Sequence, residues 1–122
     1  MDREAVLGWC LDMPGAREEF PFGPEPSVIK VGAKMFALIG GAEPVSLSLK
    51  CDPDIAQMLR QEFAAVRPGY HLNKRHWNTV VLDGTVPEQD VRWMIEHSYA
   101  LVVKSLPKRD REELARLGAS GG

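Results

Sequence analysis

From residue 63 to residue 82 the chain holds no acidic residue; Glu62 and Asp83 bracket the gap. Within it lies Arg67-Pro68-Gly69-Tyr70-His71-Leu72-Asn73-Lys74-Arg75-His76-Trp77-Asn78-Thr79, which collects three cations, two histidines and two aromatics. The whole chain carries a net charge of −2 with a pI near 5.9, so this basic stretch sits on an otherwise acidic protein. Such a balance excludes a generic nucleic-acid coat, and any polyanion contact has to come from a local patch.

Other shortages narrow the classes further. There are only two cysteines, Cys10 and Cys51, far apart and outside any CxxC pattern. That excludes a disulfide scaffold or a zinc ribbon and suits reduced thiols in a cytoplasmic protein. No apolar run is long enough to span a bilayer, so no membrane partner is expected. The start, Met1-Asp2-Arg3-Glu4, is charged and does not read as a signal peptide. The sequence has no Gly-x-Ser-x-Gly elbow, no phosphate-binding glycine loop and no paired-carboxylate motif, so no enzyme activity and no cofactor are expected. Glu18-Glu19 and Glu112-Glu113 are adjacent pairs that read as solvated.

What is present describes one small domain. The 122 residues, 44% hydrophobic and 26% charged, suffice to bury a core without a covalent staple. The domain is read as residues 1–118, with 119–122 as a disordered tail after Gly118. Asp2 caps a first helix whose Val6, Trp9, Cys10 and Met13 recur at helical spacing, and Pro14-Gly15 stops it. Residues 17–20 read as one more helical turn. Ser27 to Val31 and Lys34 to Ile39 are β-rich and flank Gly32-Ala33, a hairpin connection. Val45, Leu47 and Leu49 alternate with Ser46, Ser48 and Lys50, a strand with one buried and one wet face.

Asp52 then caps a helix with Pro53 at its first position, and Ile55, Met58, Leu59 and Phe63 form its expected buried stripe. Residues 64–67 read as a short strand and 77–82 as another, with Trp77 packing into the core. Pro87 opens the longest helix, with Val91, Met94, Ile95, Ser98, Tyr99, Val102 and Leu106 on one face. Lys108 to Leu117 form a last, strongly charged helix of mixed sign, ended by Gly118. Strands grouped rather than alternating with helices indicate an α+β fold: a twisted, mostly antiparallel sheet with helices packed on one face.

Several of these pieces together resemble the MmcQ/YjbR family of small bacterial proteins. They are Pro14-Gly15-Ala16, Val45-Ser46-Leu47 with Lys50, Arg67-Pro68 leading to His71-Leu72-Asn73-Lys74 and His76-Trp77, and Asp83-Gly84 with Pro87. The likeness runs from the first helix to about Leu114. It implies a compact α+β fold like that of bacterial frataxin-type proteins. It implies no settled activity, and a DNA-binding role proposed for the family on shape comes with it.

The basic run is the candidate site: Arg67, Tyr70, His71, Asn73, Lys74, Arg75 and His76. Phosphate recognition needs fixed cations and donors, which Arg67, Lys74, Arg75 and Asn73 supply. Tyr70, His71, His76 and Trp77 offer rings for stacking. The competing reading is structural: His71 and Asn73 hydrogen-bond the backbone and fix an irregular loop. A metal site is not expected, because His71 and His76 are five apart, which suits no single helix or strand face, and no carboxylate lies nearby. Cys51, just before a helix, reads as a buried, inert thiol. The expected function is binding, with DNA as the favoured partner. A small anionic ligand or a protein partner is the alternative. The expected state is a monomer or weak dimer.

Overall fold

The computed structural model describes residues 1–69 and 72–121. Four helices and six strands follow in the order α1 (Arg3–Leu11), β1 (Arg17–Glu19), β2 (Ser27–Val31), β3 (Lys34–Ile39), β4 (Ser46–Lys50), α2 (Pro53–Glu62), β5 (Val66–Pro68), β6 (Trp77–Val81), α3 (Glu88–Lys104) and α4 (Lys108–Gly121). The α+β expectation holds. The strands form one sheet in the order β1-β2-β3-β4-β6-β5 with every neighbouring pair antiparallel. Helix α2 carries the chain from β4 past the next sheet position, so β6 later fills the gap between β4 and β5.

Local chemistry sets most of these boundaries. Asp2 Oδ1 accepts from the Ala5 N–H at 2.8 Å, and Asp52 Oδ1 accepts from the Asp54 and Ile55 N–H groups at 3.0 and 3.3 Å. Each cap satisfies donors that a helix start leaves without partners. At the β2–β3 hairpin Gly32 adopts φ +60°, a left-handed conformation that costs glycine little.

Helices α1, α2 and α3 cover one face of the sheet. Val91, Met94, Ile95, Ser98 and Val102 of α3 are buried among Phe36, Ile29, Ile39 and Leu47, each fully buried. Ser98 ties helix to sheet. Its hydroxyl donates to the Phe36 carbonyl at 2.6 Å and accepts from the Lys50 N–H at 2.9 Å, so a buried polar side chain completes the ladder between β3 and β4. No described helix is long and apolar enough to cross a membrane.

Three expectations are overturned. Residues 17–20 do not form a helical turn. Arg17–Glu19 is an edge strand paired with β2, Arg17 opposite Lys30 and Glu19 opposite Val28. The run between Gly15 and Pro21 is too short for a stable helix, whereas the edge of β2 offers it a ladder, and Glu19 adds ion pairs to Arg17 and Lys30 at 2.9 and 3.2 Å. Met58 is not in the buried stripe of α2; it is 65% exposed, and Ala56 is the buried residue. The helix rests on Asn78, whose side-chain amide donates to the Ala56 carbonyl. Helix α4 runs past Gly118 to Gly121. Trp77 is buried, as expected, but on the face of the sheet away from the main cluster. In β6, Asn78 and Val80 pair with Leu49 and Leu47 on the helix side, so Trp77 and Thr79 fall on the opposite face by the two-residue alternation of a strand.

Candidate functional site

The basic run straddles the turn between β5 and β6. The turn is closed where the Gly69 N–H donates to the Trp77 carbonyl at 2.8 Å. A β-carbon on Gly69 would stand 2.7 Å from the Trp77 Cβ, so this crossing admits only glycine without movement. Residues 73–76 fold into a tight turn. The Arg75 N–H donates to Asn73 Oδ1 at 3.0 Å, and the His76 N–H donates to the Asn73 carbonyl at 3.2 Å. The Cys51 N–H in turn donates to the His76 carbonyl at 2.8 Å, which anchors the far end of the loop to β4.

The predicted site residues therefore separate by role. Lys74 and Arg75 are exposed, and no ion pair among the described residues uses either one. Asn73 is exposed too, but its side-chain carbonyl shapes the turn, as the structural reading expects. His76 is half-buried beneath them. Arg67 is exposed on β5, opposite Thr79. It lends a minor part to holding the Asp83 carboxyl below its ordinary range; the hydroxyl and N–H of Thr85 do most of that. Tyr70 and His71 lie outside the described residues. Among the described residues no group of three or more His, Cys, Asp or Glu side chains is arranged to hold a metal ion.

One residue absent from the sequence reading holds the site in place. Arg60, on α2, reaches under the turn. Its Nη2 donates to the carbonyls of Lys74 and, at 3.3 Å, Trp77, and its Nε donates to Asn78 Oδ1 at 2.7 Å. The guanidinium's rigid fork suits three acceptors at fixed positions. In the sequence Arg60 is one more cation on an amphipathic helix, and its targets lie at least 14 residues away, so nothing local marks it.

The helix-free face of the sheet carries a groove of about 520 Å³ beside this loop. Its floor is Ser46, Ser48 and Thr79, and Met35 and Leu38 of β3 extend it. Phe22 and Pro26 wall one side and Leu72 another. The Ser48 and Thr79 hydroxyls are 2.9 Å apart and hydrogen-bonded. The alternation of β4 predicts a wet face here; that it lies under two loops as a groove follows from tertiary packing alone.

Burial disfavours the thiolate at both cysteines. Burial, with a smaller push from Asp52, raises the Cys51 pKa to about 11, and burial raises Cys10 to about 12. A helix start beside a thiol favours the thiolate, but at Cys51 desolvation outweighs it. Nearby His97 accepts from the Asp52 N–H at 3.2 Å through Nε2 and stacks on Trp93 at 4.8 Å. Partial burial lowers its pKa against a smaller opposing pull from Asp52, the direction that favours an unprotonated Nε2 acceptor.

The family model YjbR matches residues 11–101. The uncharacterized protein YjbR of Escherichia coli (strain K12) is 37% identical over 113 residues, which covers 92% of this chain and 96% of that protein. A crystal structure of a Deinococcus radiodurans protein with the family-model domain DUF419 superposes with a TM-score of 0.85 at 43% identity, over 92% of this chain and 86% of that one. A Pseudomonas syringae protein superposes with a TM-score of 0.73 at 25% identity, over 83% and 98% of the respective chains. The resemblance read from the His-Leu-Asn-Lys-x-His-Trp element and its companion motifs is thus borne out over nearly the whole domain, and the chain belongs to the YjbR family.

Proposed function

We propose that this domain is a nucleic-acid-binding module, not an enzyme, and that it works in the cytoplasm, where its two unpaired thiols stay reduced. The observation that carries the reading is the exposure of Lys74 and Arg75 on a turn that Arg60 and Asn73 hold from behind. Cations fixed by the backbone beneath them lose little freedom on meeting phosphate, while cations elsewhere, such as Arg17, Lys30 and Arg92, are engaged with carboxylates. Arg67 adds a third contact from the neighbouring strand. Asn73, whose Oδ1 is engaged by the turn, presents its amide NH₂ as a donor for a phosphate or sugar oxygen, and DNA is the favoured polymer.

Three phosphate contacts on duplex DNA correspond to a salt slope of about −2.7. Binding is therefore weak and best seen at low salt. The test is fluorescence anisotropy of labelled oligonucleotides at several salt concentrations, with wild type and Lys74→Ala/Arg75→Ala. The double variant should retain its circular dichroism spectrum and its slope should shrink by about two contacts. No binding by the folded wild type at low salt rejects the proposal.

A small anionic ligand is the second reading, favoured by the groove, whose 520 Å³ falls in the range of small-molecule sites. The two differ in multivalency. Affinity that grows with oligonucleotide length marks the polymer, and saturation by one small anion marks the pocket.

A further inference from the structure

We infer that the groove on the helix-free face receives one unpaired base of a single-stranded nucleic acid, whose phosphates lie on Arg67, Lys74 and Arg75. The inference rests on the nucleic-acid reading above and makes the groove and the basic turn two parts of one site.

Their geometry joins them twice. Leu38, Ser48, Thr79 and Arg67 are partners across β3, β4, β6 and β5. They form one cross-strand row on one face, with adjacent strands about 4.8 Å apart. The groove floor and the exposed Arg67 therefore share a line, one strand beyond Thr79. Leu72, a groove wall, is followed directly by the turn that displays Lys74 and Arg75. A nucleotide whose base lay on Leu38 and Ser48 would have its phosphates within reach of all three cations.

The chemistry of the groove fits a base better than a second phosphate. Phe22 is 69% exposed, an aromatic with most of its surface in water at the groove's rim. Aromatic and apolar walls accept the flat face of any base. Ser46 at the floor has no side-chain hydrogen bond to a described residue, and it offers a donor and an acceptor to a base edge. Charge sets the direction. The Glu25 carboxylate lies against Gly41 at the opposite end, which repels phosphate there and leaves it the Leu72 end. A duplex cannot use this arrangement, because its base faces are already stacked, whereas a single strand can splay one out.

The test compares three labelled probes of equal length by anisotropy: a single-stranded oligodeoxynucleotide, the duplex, and a single strand with abasic sites. The proteins are wild type, Phe22→Ala, which alters an exposed side chain and spares the core, and Lys74→Ala/Arg75→Ala. The inference expects wild type to bind the intact single strand about tenfold more tightly than either other probe, the order of one stacked base. Phe22→Ala should lose that preference while keeping its residual affinity, and the double variant should weaken on every probe. Equal binding of intact and abasic strands, with the double variant still weakened, overturns the groove assignment and leaves the nucleic-acid reading standing. Loss on all probes alike in Phe22→Ala overturns it too. No binding of any probe at low salt overturns both.

Discussion

Arg60 and Asn78 are bonded at 2.7 Å, Nε to Oδ1, and through this pair helix α2 grips the strand that follows the basic turn. Asn78 is 3% exposed and directs its amide to the Ala56 carbonyl, so both halves of its side chain are engaged. The turn's cations owe their fixed position to a residue that touches no ligand in the proposed binding mode.

Arg60→Ala is therefore expected to loosen the turn more than the core. It deprives the buried Asn78 Oδ1 of its Arg60 donor and leaves the Trp77 carbonyl with the Gly69 N–H, at a cost of about 1–3 kcal/mol. Hydrogen exchange should show the amides of Gly69 and His76 losing protection more than those of β3. Arg60→Lys should restore little, since an ammonium cannot span the same acceptors.

Two glycines predict opposite signs. Gly69→Ala brings a β-carbon within 2.7 Å of the Trp77 Cβ, and the β5–β6 turn must open; a loss of about 1–3 kcal/mol is expected. Gly8 lies within α1, where an added β-carbon would meet nothing within 4 Å. Gly8→Ala should stabilise the protein by about 0.5–1 kcal/mol through helix propensity. Urea titrations of both variants check the pair, and stabilisation by Gly69→Ala would contradict the close approach.

His97 gives stability a pH dependence of definite sign. Its folded pKa lies below the ordinary 6.5 because of partial burial. Between that depressed value and 6.5 the unfolded chain binds more protons, so stability rises with pH through this window and falls on acidification. Thermal melts from about pH 5 to about pH 7.5, set beside His97→Gln, isolate the effect. The variant should flatten that part of the profile; an unchanged slope would show that His97 does not carry it.

Cys51, with its pKa raised to about 11, should be alkylated slowly by iodoacetamide near pH 8 in the native protein. In denaturant its rate should rise to that of an ordinary thiol. Fast native labelling at Cys51, located by mass spectrometry, would contradict the buried thiol just before α2.

Much of the architecture was legible because it is written in short-range chemistry. The caps at Asp2 and Asp52, the β2–β3 hairpin at Gly32 and the alternation through β4 each depend on neighbours a few residues away. The apolar stripe of α3 likewise follows from helical spacing, and its Ser98 keeps that place while bonding to the sheet. The basic turn was legible as composition, since a stretch without acids stands out on an acidic chain.

The rest required partners distant in the chain. Arg17–Glu19 is a strand only because β2 lies beside it, and a segment that short has no conformation of its own. Period two assigns Trp77 and Asn78 to opposite faces but does not say which face meets the helices; the register of β6 on β4 chose Asn78. Met58 and Ala56 differ in hydrophobicity in the direction opposite to their burial, because the face of α2 turned to the sheet is set by its docking on Asn78 and β6, not by side-chain hydrophobicity alone. Sequence alone determined the capped helices, the longer strands, the class of fold and the basic character of the turn, through propensity and periodicity. Tertiary structure decided that Arg60 anchors that turn and that a groove opens beside it, because both arise from contacts between residues far apart in the chain, which no local pattern encodes.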